Sequence, residues 1–168
     1  AAGKDGQLYL LDRTSLGGVG GATVGTALMS SGSFIQAAAS ANLPSGTFVV
    51  VRGEAAGASC PGTAANLIGV RLDPAAPNRM ATVWCANPLG TGSPIITTSD
   101  GAKDALVWSA GAESSNALHA WDLQTGLLVF GGGAAGDAIP NVRRHSSPIA
   151  ANGRIVVAGD GHLYAFKP

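Results

Sequence analysis

Two cysteines, three histidines and one pair of adjacent arginines are the residues of this chain best suited to chemistry. Cys60 and Cys85 have no histidine or second cysteine pair at zinc-ligand spacing, which argues against a metal site. A disulfide or two separate buried thiols remain open for them. His119, His145 and His162 show neither a His-x-x-x-His spacing nor a paired glutamate. The acidic residues are scattered and fall mostly at turns, so no two carboxylates are marked for acid–base work. Serines are abundant in loop-like segments, but none sits in a Gly-x-Ser-x-Gly elbow, and no catalytic residue is nominated. Arg143-Arg144-His145 is the one local concentration of positive charge. Arginine forks suit carboxylates and other anions, which makes these three a candidate anion or partner contact. The competing reading is a solvated loop paired with Asp137.

Composition narrows the classes of function. The net charge is +0, whereas a nucleic-acid binder needs a basic excess to neutralise phosphates. Only 12% of the 168 residues are charged and 25 are glycine, against about 25% and about 7% in an average domain. A hydrophobic content of 46% argues against disorder. Much of it is alanine, so the core is expected to be built from small residues. There is no run of about 18 apolar residues, so no membrane span is expected. No basic stretch followed by an apolar one opens the chain, and any signal peptide is expected to have been removed already.

The elements that must position these residues are short apolar runs bounded by turn residues. Leu8–Leu11, Phe48–Val51, Ala105–Trp108, Leu127–Phe130 and Ile155–Ala158 read as strands. Asp5-Gly6, Asp100-Gly101 and Asp160-Gly161 supply residues that accept the positive φ of tight hairpins. No sustained 3.6-residue stripe exists; Ala37-Ala38-Ala39 alone favours helix, and Pro44 and Gly46 close it off. The chain reads as all-β.

A pattern also recurs along it. Lys4–Asp12, Asn116–Asp122 and Gly159–Lys167 each run from a polar turn through Leu, a ring and an apolar pair to a polar residue. Asn66–Asp73 is a weaker copy, and Ser93-Pro94-Ile95 recurs as Ser147-Pro148-Ile149. The polar ends at 12, 73, 122 and 167 are spaced by roughly 45–60 residues. Such a period, holding several short strands, indicates propeller blades, while a β-sandwich has no reason to repeat motifs at that spacing.

Ser147-Pro148-Ile149 followed by Asn152–Phe166 resembles the PQQ-like, or quinoprotein-type, β-propeller repeat, as does Leu118–Gly126 with its Thr125-Gly126 turn. The resemblance covers most of the chain. It implies blades of four antiparallel strands, about three blades' worth, forming an incomplete ring. Residues 1–30 are expected to end a first blade, 31–90 to form a second, 91–133 a third, and 134–168 a last blade lacking its outer strand. The strands of the second blade are placed at Phe34–Ala39, Thr47–Arg52, Leu67–Leu72 and Ala81–Cys85. Those of the third fall at Pro94–Ser99, Ala105–Ala110, Ala117–Asp122 and Leu127–Phe130, and those of the last at Pro148–Ala151, Arg154–Gly159 and Leu163–Phe166.

On that layout Cys60 lies in the loop after the second strand of its blade and Cys85 ends the fourth, at the same edge, which favours a Cys60–Cys85 disulfide and an oxidising compartment. His119 takes the place of Tyr9 and Tyr164 and reads as a packing ring. The family's dehydrogenases hold the quinone and calcium at the ring centre with vicinal cysteines and acidic and amide ligands. This chain has no vicinal cysteines and no matching Asp–Asn cluster. The expectation is therefore a noncatalytic, cofactor-free, extracellular or periplasmic propeller that serves as an interaction or assembly scaffold. An incomplete ring would be completed by a missing N-terminal part, a second polypeptide or self-association. The alternative is the C-terminal half of a PQQ-dependent oxidoreductase, with PQQ and calcium as cofactors. A carbohydrate-binding propeller is a third reading, against which Trp84, Trp108 and Trp121 read as core.

Overall fold

The computed structural model describes residues 1–21, 23–58, 60, 65–134 and 136–168. Among them there is no α-helix, and one 3-10 turn occurs at Pro77–Arg79. Thirteen strands form four antiparallel sheets. The first sheet pairs β1 (Gln7–Leu10) with β2 (Gly25–Leu28). The second runs in chain order through β3 (Ala39–Leu43), β4 (Gly46–Arg52), β5 (Leu67–Leu72) and β6 (Met80–Ala86). The third repeats this with β7 (Ile95–Ser99), β8 (Lys103–Ala110), β9 (Leu118–Asp122) and β10 (Leu128–Phe130). The last holds β11 (Ile149–Ala151), β12 (Arg154–Gly159) and β13 (His162–Phe166). No closed barrel or ring is formed by the described residues.

Turn chemistry sets the registers. Asn152-Gly153 joins β11 to β12 as a two-residue loop in which both residues have positive φ, the geometry that matches strand twist. The first strand of the second sheet departs from the expected Phe34–Ala39. It lies at Ala39–Leu43, because Leu43 pairs with Gly46 across the two-residue loop Pro44-Ser45. Pro44 and Gly46 are thus hairpin residues rather than a helix stop, and the alanines before them lead into a strand. Phe34 makes only an isolated bridge to Gly53 and fills the core.

The sheets stack face to face in chain order, which explains the continuous apolar runs. In an inner strand alternate side chains point to opposite faces, and here each face meets a different neighbour. Phe48, Val50 and Leu67 pack with Ala105, Val107 and Trp121 of the third sheet. Val51, Ile68 and Val70 of the same strands pack with Leu8 of the first. On the far side of the third sheet, Trp108, Leu118 and Ala120 pack with Ile155 and Val157 of the last.

Cys60, in the β4–β5 loop, is joined to Cys85 of β6 by a disulfide with Cα atoms 5.7 Å apart. The two residues are 25 positions apart, so the cross-link contributes about 3 kcal/mol in the chain-entropy description. The double variant Cys60→Ser/Cys85→Ser is expected to lose about that amount in equilibrium urea unfolding. A loss below about 0.5 kcal/mol would show that the cross-link adds nothing to stability.

Candidate interaction surface

The last sheet ends the stack, and only one of its faces is covered among the described residues. Ile155, Val157, Tyr164 and Phe166 face the third sheet. Register puts Ile149, Val156 and Ala165 side by side on the opposite face, with Ala158 beside Leu163. Nothing among the described residues covers that face: Ile149 is 59% exposed and Leu163 77%. The repeat makes the contrast sharp. Leu8 and Leu118 hold the same place in their copies and are 5% and 0% exposed, each pressed against the next sheet. In the weaker copy that place is Gly69, and the Trp84 ring lies over it instead.

The outer edge of β13 is also free among the described residues, whereas β5 and β9 are each flanked there by a further strand. Beside it a cleft of about 690 Å³ opens between Leu106, Trp108 and Phe130 of the third sheet and Tyr164 and Phe166 of the last. Leu128 and Val129, on the neighbouring edge strand β10, are exposed as well. Apolar side chains left in water in this number mark contact surfaces more often than they mark free ones.

The arginine cluster lies in the loop before β11, and its members diverge. Arg143 forms a two-point pair with Asp160, Nε donating to Oδ1 at 2.9 Å and Nη2 to Oδ2 at 2.5 Å. This pairing holds the Asp160 carboxyl below its usual range. Arg144 donates from Nε to Glu113 at 3.0 Å and lies 3.6 Å from Glu54, so it ties together loops of the second, third and last sheets. His145 is on the turn with a positive φ of 67°. Asp137 is not the partner of these arginines; its Oδ2 accepts from the Ala134 amide within its own loop.

The remaining polar residues are taken up by structure. Asp12, Asp73 and Asp122, the polar ends of three repeat copies, each accept backbone N–H groups two residues on and so close their turns. His119 is 2% exposed, packs against Trp121 at 5.9 Å between ring centres, and shares a 2.7 Å hydrogen bond through Nε2 with the Ser115 hydroxyl. Burial holds its pKa below that of a free imidazole. The unfolded chain then binds the extra proton first, so stability is full above about pH 6.5 and falls as the pH drops below it. His119→Gln is expected to flatten the change in melting temperature between pH 7 and 5. An unchanged slope would place the titrating group elsewhere.

Among the described residues no three His, Cys, Asp or Glu side chains gather to hold a metal ion. The two cysteines are bonded to each other and Trp84, Trp108 and Trp121 are buried. No helix among the described residues is long and apolar enough to cross a membrane.

No family model, curated protein or solved structure matches this chain.

The sequence pointed to Arg143, Arg144 and His145 but not to the uncovered face or to Arg52, which ends β4 and is 7% exposed. The signal available for the face was the repeat itself. Leu163 matches Leu8 and Leu118, so it had to be either buried by a further neighbour or exposed.

Proposed function

We propose that this protein is a noncatalytic scaffold of the PQQ-like β-propeller type, working in an extracellular or periplasmic space. In this reading the sheets are successive blades, and the uncovered face of the last one is a docking surface for a further β-sheet. That sheet comes from another polypeptide or from another part of the same protein. The observation that carries the reading is Leu163, 77% exposed where its repeat equivalents Leu8 and Leu118 are buried against a neighbouring sheet. The PQQ-like pattern in Asn152–Phe166 and the four-stranded meanders support the propeller. The Cys60–Cys85 disulfide is consistent with an oxidising compartment.

Sedimentation velocity and native mass spectrometry test the scaffold reading. The protein is expected to occur in an assembly in which the last sheet is shielded from hydrogen exchange on its free face. A protein that stays monomeric and shows a quinone absorbance band with stoichiometric calcium would replace this reading with that of an oxidoreductase.

A further inference from the structure

We propose that Arg52 and Arg144, with the Gln36 amide beside them, form a binding site for the carboxylate of a small ligand, in which Glu54 acts as a weak internal occupant. The site lies where loops of the second, third and last sheets meet, away from the uncovered face, and it stands whether or not the scaffold reading holds.

Arg52 is the starting point. Its side chain is more than nine-tenths buried, and the one carboxylate paired with it stands at the 4.0 Å limit of an ion pair. With the Gln36 amide turned to the orientation that satisfies both of its atoms, its Oε1 accepts from Nη1 at 2.9 Å and its Nε2 donates to the Arg52 carbonyl at 3.2 Å. That oxygen is neutral. The nearest carboxylate, Glu54, is 4.0 Å away, outside hydrogen-bond reach. The Nε–H is shielded from solvent and meets no acceptor among the described residues. A buried guanidinium left this way is costly, because burial removes its hydration without supplying a counter-charge. The pKa of Arg52 accordingly lies below the usual arginine value, through burial first, with Glu54 opposing and the charge of Arg144 adding to the shift.

Arg144 supplies the second half. It reaches Glu54 at 3.6 Å from Nη1, so the Glu54 carboxylate straddles two guanidinium groups without hydrogen-bonding to either. The Arg143–Asp160 pair shows what a closed fork looks like in the same chain, with two bonds of 2.9 and 2.5 Å. Planar guanidinium groups recognise carboxylates through paired N–H donors, and the Arg52–Arg144 pair has such donors to spare. The side chains of Glu54 and Arg144 are both partly open to solvent, at 38% and 48% exposure. Glu54 can therefore swing into water and leave its place to a carboxylate from outside, an exchange of like for like. Glu113 remains on the Arg144 Nε at 3.0 Å and keeps that side chain in position.

The test reads the arginine directly. The Arg52 Nε–Hε resonance of the full protein is followed by ¹H–¹⁵N NMR during titration with succinate. A saturable shift is expected. It should tighten by about tenfold in Glu54→Gln, which removes the competitor, and weaken by about tenfold in Arg144→Gln, which removes one fork. Both substitutions are at partly exposed positions, and thermal unfolding checks that each variant is folded. If the Arg52 resonance of Glu54→Gln does not move at tens of millimolar succinate, the site does not exist. Equal saturation by inorganic phosphate would overturn its assignment to carboxylates.

Discussion

Trp84→Ala is expected to lower the unfolding free energy by about 3–5 kcal/mol, a large part of the 5–15 kcal/mol that holds a domain of this size together. Trp84 belongs to β6 of the second sheet, but most of what it touches ties that sheet to the third. Its Nε1 donates to the Leu123 carbonyl at 2.6 Å. Its ring lies over Gly69, its cross-strand partner on β5, and against Gly126, which turns the chain from β9 to β10 with a φ of 71°. Gly69 leaves room that only a large flat ring fills, and a Cβ at Gly126 would meet the same ring. Truncation therefore opens a cavity and also leaves the Leu123 carbonyl without its donor. Trp84→Phe separates the two effects, because it retains most of the ring while losing the N–H; its cost is expected to be about 1–3 kcal/mol. Gly69→Val attacks the same contact from the other side and should destabilise as well, since the added side chain and the indole claim one volume. Urea unfolding followed by circular dichroism reads all three. A loss under about 1 kcal/mol for Trp84→Ala would mean that the second and third sheets are held together elsewhere.

The same contact illustrates how far the sequence can be read. Strand positions were legible because each apolar run is short and bounded by Asp-Gly, Asn-Gly or Pro-containing turns, and twelve-residue helical stripes are absent. The runs Phe48–Val51 and Leu106–Trp108 lack strict alternation for a physical reason: both faces of an inner sheet are buried, against different neighbours. The start of the second sheet was misplaced because alanine favours helix and is depleted in strands, so the Ala37–Ala39 run carries no strand signal and the Pro44-Ser45 hairpin sets the register. Arg52 was not legible at all. The polar groups around it come from Gln36, Glu54 and Arg144, and a single arginine closing a strand looks like any solvated strand end. The repeat, by contrast, aligns Leu163 with Leu8 and Leu118, and it carries no information on whether anything covers it.

That last point yields the second large effect. Ile149→Asp together with Leu163→Asp is expected to abolish association through the last sheet while leaving the fold intact. Two exposed apolar residues contribute little to the stability of the chain itself, so the melting temperature should change by no more than a few degrees. If the face buries them in an assembly, two carboxylates there must lose their hydration with no partner supplied, which is enough to weaken binding by several orders of magnitude. Leu118→Asp is the control. It puts the same charge at the equivalent place in the third sheet, where the side chain is fully buried against the last sheet, and it is expected to unfold the protein. The double variant should sediment as a folded monomer at concentrations where the parent chain associates. It should also bind less of a dye that reports exposed apolar surface. A parent chain that stays monomeric at high concentration without binding the dye would show that water tolerates this face. A double variant that associates as strongly as the parent would move the contact to another surface. Either result would remove the support that Leu163 gives to the scaffold reading, whereas loss of association with an unchanged melt would locate the docking surface on β11, β12 and β13.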